Sequence, residues 1–167
     1  MHLFPRVIGE YQDYISRIGH YISEDGFHFE LAYPGSIFGP GKQYDRWACE
    51  DPRVTEINGM FYFTYVALSK PARQGGGPPT IALLSTKNFR KFNRHGLITP
   101  RLSDNRDAVI FPEKIGGKFV MLHRPLRWTK DSTALNPTDK FRVKIPCSHG
   151  ELPQKPAIWI AYSYDLK

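Results

Sequence analysis

Cys49-Glu50-Asp51-Pro52-Arg53 sets two adjacent carboxylates beside a proline and a guanidinium. Residues 54–68 follow as a β-rich run broken at Asn58-Gly59. Paired acids and an arginine at the mouth of a β-hairpin have the parts of a polyol- or sugar-handling site. A solvated turn is the competing reading of the same residues. Other chemistries lack their signatures. His20, His28, His95, His123 and His149 stand at no metal-ligand spacing from one another or from carboxylates, so no metal site is expected. Gly75-Gly76-Gly77 is not followed by the Lys-Ser/Thr of a phosphate loop.

The elements that must position these groups read as short strands. Residues 14–22 are β-type, Ser23-Glu24-Asp25-Gly26 is a tight turn, and 27–31 is a further strand. Residues 34–42 hold three glycines and two prolines and read as loop. Asn-Gly between two β-rich runs is a strong hairpin signal at 54–68. Residues 71–79 are loop, 80–85 strand, 86–93 turn and 97–105 loop. Residues 109–111 are strand, and 113–123 form a second hairpin about Gly116-Gly117. Residues 127–155 read as an insertion, and 157–163 as a last strand. No stretch sustains a 3.6-residue apolar period, so the expected class is all-β.

The pattern repeats. Pro52-Arg53-Val54-Thr55-Glu56-Ile57-Asn58-Gly59 resembles Pro112-Glu113-Lys114-Ile115-Gly116-Gly117, with the prolines 60 residues apart. A Ser-containing turn recurs at Ser23, Ser85 and Ser163, at intervals of 62 and 78 residues, the longer one spanning the insertion. Units of about 60 residues built from short strands argue for β-propeller blades. The expected division is 1–50, 51–105 and 106–167. Propellers close with at least four blades, so about three make an incomplete one.

The 167 residues suffice for one domain with a core, and 41% hydrophobic content is not that of a disordered chain. Apolar runs fall short of the ~20 residues of a membrane helix. Two cysteines without metal spacing and no signal-peptide pattern make the cytoplasm the expected location. The net charge is +7, but the 23 basic residues are scattered. The tightest group, Lys87, Arg90, Lys91 and Arg94, falls in a turn, which argues against nucleic acid and leaves a small anion as the partner.

Cys49-Glu50-Asp51-Pro52-Arg53-Val54-Thr55 followed by Asn58-Gly59-Met60-Phe61-Tyr62-Phe63-Thr64-Tyr65 resembles the signature of glycoside hydrolase family 130, the β-mannoside phosphorylases and related β-mannosidases. Five further segments agree in order, among them Asp107-Ala108-Val109-Ile110-Phe111-Pro112-Glu113-Lys114 and Met121-Leu122-His123-Arg124-Pro125. The resemblance implies a five-bladed propeller, of which this chain would be the N-terminal and middle part. It implies inverting phosphorolysis of a β-mannosyl oligosaccharide to α-mannose 1-phosphate, with inorganic phosphate as co-substrate and no cofactor. A β-mannosidase and a non-catalytic glycan-binding propeller remain open alternatives, as does homo-oligomerisation.

Phosphate as the nucleophile removes the need for a second catalytic carboxylate and adds a need for cationic clamping, which arginine suits. By resemblance Asp51 is the general acid, acting through a hydroxyl of the bound mannosyl unit. Glu50 either disfavours a second negative charge beside it or binds a sugar hydroxyl. Arg106 and Arg124 are the phosphate candidates, and Arg6 and Asp107 join Glu50 as substrate-binding candidates. Arg53 is expected to pair with Glu50 or Asp51. His123 reads as a core or supporting histidine, and Trp47, Tyr65 and Trp159 as core aromatics rather than sugar platforms.

Overall fold

The computed structural model describes residues 1–8, 15–71, 74, 77–99, 104–126 and 157–166. The expected insertion at 127–155 and the glycine run at 75–76 lie outside these residues, as does Tyr14 at the start of the first predicted strand. Among the described residues, thirteen strands and one short 3₁₀ turn, Gln43–Asp45, make the protein all-β.

The strands fall into three successive antiparallel sheets, the arrangement of an incomplete β-propeller. The first consists of two three-stranded pieces, one of them continuous with the second sheet. β1 (His2–Leu3) and β2 (Arg6–Ile8) run against β4 (Tyr21–Ile22) and β3 (Ser16–Gly19), which pair in turn with β5 (Glu30–Leu31) and β6 (Ile37–Phe38). The second sheet is a four-stranded meander of β7 (Ala48–Ile57), β8 (Met60–Leu68), β9 (Thr80–Thr86) and β10 (Asn93–Leu97). One parallel pair, Ser16 with Ala48, joins it to the first. The third sheet holds β11 (Asn105–Ile110), β12 (Phe119–Pro125) and β13 (Trp159–Ser163).

Period-two alternation places the core. Phe63, Tyr65 and Ala67 of β8, with Ala82 and Leu84 of β9, pack toward the first sheet against Ile18, Phe4 and Phe38. Val66, Ile81 and Leu83 face the other way, onto Ile110, Met121 and Ala161 of the third sheet. The second sheet is thus apolar on both faces, and every residue of β9 is buried.

Local chemistry explains the turns. Asn58 and Gly59 take φ of 51° and 72°, as a two-residue hairpin requires. Gly116 and Gly117 do the same at 58° and 76°. In the recurrent turns the hydroxyl accepts from a following backbone amide, three residues on in the first two and two residues on in the third. Ser23 Oγ accepts from the Gly26 N–H, Thr86 Oγ1 from Phe89, and Ser163 Oγ from Asp165. The counterpart of Ser23 is therefore Thr86 rather than the expected Ser85.

Some boundaries differ from expectation. The predicted loop at 34–42 contains β6, and 93–97 forms β10 despite its polar residues, because Leu97 and Phe92 pack on the first core. The acidic stretch is not a turn before a strand: β7 already begins at Ala48 and runs through Pro52. Proline is tolerated there because the strand is bulged.

Candidate active site

The register defines that bulge. Glu50 stands opposite Val66 and Arg53 opposite Thr64, so three steps on β7 face two on β8. The extra residue lies at Asp51-Pro52, and Asp51 takes φ of 48°. The third sheet repeats the device. Arg106 stands opposite Arg124 and Val109 opposite Leu122, and Asp107 takes φ of 52°. A bulge whose first residue is left-handed bends the strand and re-aims its side chains, and aspartate is among the few non-glycine residues that accept the conformation.

These registers correct the repeat read from the prolines. The two hairpin turns fall 58 residues apart and the two bulges 56. Asp51 therefore corresponds to Asp107, and Pro52 to Ala108. Pro112 lies beyond the end of β11, in a segment two residues longer than its counterpart.

Around each bulge the charged groups associate. Arg6 Nη1 lies 3.4 Å from Glu50 Oε2 and 3.5 Å from Asp51 Oδ1. The Ser16 hydroxyl donates to Glu50 Oε1 at 2.6 Å, which fixes this buried carboxylate from the first sheet. The Asp51 side chain is 44% exposed and remains open to solvent. On the third sheet Arg124 donates from Nε and Nη2 to Asp107 Oδ2 at 2.8 and 2.5 Å. Arg53 Nη2 lies 3.9 Å from Asp107 Oδ1.

Arg53 thus departs from expectation, since it meets Asp107 and not Glu50 or Asp51. The bulge is the reason: Arg53 resumes the ladder opposite Thr64, whose side chain faces the third sheet. One pattern covers both pairs. Arg6 of the first sheet reaches the bulge aspartate of the second, and Arg53 of the second reaches that of the third.

Arg106 and Arg124 are directly opposite on β11 and β12, which places both side chains on one face. Two cations so placed repel unless anions intervene. Asp104 accepts from Arg106 Nε at 3.3 Å, and Asp107 takes Arg124. Among the described residues the terminal nitrogens of Arg106 have no partner.

The remaining ionisable groups belong to the scaffold. Asp45, fully buried, accepts from the Tyr65 hydroxyl at 2.9 Å and the Lys42 amide at 2.7 Å, and pairs with Arg94. Arg94 is therefore no part of a basic surface. Burial, with Asp45 adding to it, pushes the Cys49 thiol well above its ordinary range and makes it inert as a nucleophile. Tyr65 is 1% exposed and cannot stack on a sugar. A cavity of about 230 Å³ between the first and second sheets is lined by Phe4, His20, Tyr33, Phe38 and Phe89 among others, and none of the candidate site residues borders it.

The family described as beta-1,4-mannooligosaccharide phosphorylase, glycoside hydrolase family 130, matches residues 1–140. The chain belongs to glycoside hydrolase family 130. The 1,2-beta-oligomannan phosphorylase of Thermoanaerobacter sp. (strain X514) is 30% identical over 158 residues, 95% of this chain and 42% of the relative. The beta-1,2-mannobiose phosphorylase of Listeria innocua serovar 6a is 36% identical over 103 residues, 62% of this chain and 26% of the relative. The solved complex of beta-1,2-mannobiose phosphorylase from Listeria innocua with beta-1,2-mannobiose superposes with a TM-score of 0.62 at 32% identity. It covers 91% of this chain and 34% of that one. The chain spans less than half the length of the curated relatives it matches.

Within this family-130 chain, three supporting residues escaped the sequence reading: Ser16, Asp104 and Thr64. Asp104 precedes Arg106 by two and could have been paired with it from spacing. Ser16 acts across sheets that only folding brings together. Thr64 carried one signal, a hydroxyl in an otherwise apolar alternating row.

Proposed function

We propose that the protein catalyses phosphorolysis of β-mannosides, turning a β-mannosyl oligosaccharide and inorganic phosphate into α-mannose 1-phosphate and the shortened sugar. The observation that carries this reading is Asp51, an exposed carboxylate fixed on a bulge, with Arg106 and Arg124 sharing one face of the next sheet at the matching bulge. A phosphate oxygen attacks the anomeric carbon as the glycosidic C–O bond breaks. The leaving oxygen takes its proton from a hydroxyl of the mannosyl unit, which Asp51 reprotonates. Glu50, Arg6 and Asp107 hold sugar hydroxyls. Arg106, whose terminal nitrogens have no partner among the described residues, and Arg124 clamp the phosphate. No cofactor takes part. The names of the relatives support mannoside as the substrate class.

No helix among the described residues is long and apolar enough to cross a membrane, and the described cysteine, Cys49, is a free thiol. The free thiol supports the cytoplasmic location expected from the sequence, where phosphate is plentiful.

The test is an initial-rate measurement on the full-length protein with β-mannobiose, with and without phosphate. Turnover should depend on phosphate, and Asp51→Asn should lower kcat about 100- to 10,000-fold. Equal rates without phosphate would identify a β-mannosidase instead. A retained rate in Asp51→Asn would remove Asp51 as the acid.

A further inference from the structure

Thr64 lies in the middle of β8 on the face turned toward the third sheet, in a row with Tyr62, Val66 and Leu68. It is 2% exposed. Valine would fill such a place with the same shape, and its strand preference is as high. A buried hydroxyl has a cost unless it is bonded. The Thr64 hydroxyl crosses the sheet boundary and donates to the backbone carbonyl of Ala108.

Ala108 follows the left-handed residue of the second bulge. A bulge disrupts the ladder locally and leaves backbone groups to find other partners. Ala108 is buried at 2% exposure, so water does not serve its carbonyl. Thr55 makes a second such bond, donating to the Ile110 carbonyl at 2.8 Å. The bulge is thereby fastened to the second sheet immediately after Asp107, the residue that aligns Arg124 and Arg53.

We propose that Thr64 is a positioning residue for anion binding: its bond to the Ala108 carbonyl holds the Asp107 bulge and so sets Arg106 and Arg124 against phosphate. This rests on the phosphorolysis reading above. Thr64 touches neither substrate nor phosphate and acts through the bulge. Arg6 and Glu50 stand at the other bulge, where Ser16 holds Glu50, so the effect falls on phosphate through Arg106 and Arg124 and reaches the sugar only through Asp107.

Thr64→Val and Thr64→Ser in the full-length protein separate the hydroxyl from its packing. The valine variant should raise KM for phosphate about tenfold and KM for β-mannobiose by clearly less, because both phosphate arginines but only one of the three sugar contacts depend on this bulge. Serine should restore KM for phosphate. Unchanged constants in Thr64→Val, or equal impairment in Thr64→Ser, would overturn the proposal. If the valine variant does not fold, Thr64→Cys, which keeps volume but offers only a weak donor, takes its place. Amide hydrogen exchange gives a readout independent of turnover. Residues 107–110 should exchange about tenfold faster in Thr64→Val, while the Asn58-Gly59 hairpin is unchanged. Unaltered exchange at 107–110 would overturn the latch itself. Turnover that ignores phosphate in the wild type, with exchange still altered in the variant, would leave the latch standing and remove only its role toward phosphate.

Discussion

His123 is 1% exposed, and its Nδ1 lies 3.0 Å from Asn105 Oδ1, so that nitrogen carries the proton and donates. Nε2 has no partner among the described residues. Burial lowers the pKa of this imidazole from 6.5 to about 4. The charged ring would lose its hydration with no acceptor for a second proton. The consequence is a stability statement. Above pH 6.5 both folded and unfolded forms are neutral here, and the full contribution is present. Between pH 6.5 and about 4 the unfolded chain binds a proton that the folded one refuses, so stability falls as the pH falls. The loss approaches about 3 kcal/mol at the lower end. His123→Gln removes this titration. Urea unfolding at about pH 7 and about pH 4 should show a smaller acid loss in the variant by that order of magnitude. Equal losses would place the acid sensitivity elsewhere, with His20, whose pKa burial also lowers, as the next residue to replace.

At the scale of the strand, the bulges connect sequence to site. Their cost is conformational. Asp51 and Asp107 hold φ values of 48° and 52°, where a β-branched side chain collides with its own backbone. Asp107→Gly and Asp107→Val both delete the ion pairs to Arg124 and Arg53, so their difference isolates the backbone. The left-handed penalty for valine, about 1–2 kcal/mol or more, outweighs the extra chain entropy that glycine loses, about 0.5–1 kcal/mol. Glycine should therefore be the more stable variant by about 1 kcal/mol, read as a higher urea midpoint. A more stable valine variant would mean that the strand can discard its bulge. The hairpins were legible because Asn58-Gly59 and Gly116-Gly117 carry their turn chemistry locally. Glu50, Asp51, Asp107 and the two arginines were named with the help of the family resemblance; folding gathers them about two bulges, and their roles belong to the proposal above. The bulges were not, since an extra residue in a ladder is defined by its partner strand. That gap produced both the misplaced repeat at Pro112 and the wrong partner for Arg53.

Across the molecule, each sheet packs on the next, and the 58-residue offset says what the third sheet presents in turn. Tyr62, Thr64 and Val66, which face the third sheet, correspond to Val120, Leu122 and Arg124. Leu122 pairs with Ile160, and Val120 with Tyr162. Ile160 and Tyr162 are 47% and 44% exposed, so this face is apolar, and no sheet of the described residues lies over it. Fully burying a side chain of this kind stabilises by about 1.5–3 kcal/mol; Val120 is already buried, so the remaining gain comes from covering the half-exposed Ile160 and Tyr162. A polypeptide of residues 1–167 expressed by itself should bind a hydrophobic dye and associate as its concentration rises. Ile160→Thr with Tyr162→Thr keeps strand propensity while removing the apolar area, and should lower both signals. Light scattering at matched concentrations reads the first effect, and dye fluorescence the second. Undiminished association in the double variant would move the sticky surface off β13, toward the exposed Leu3, Ile8 and Leu31 of the first sheet.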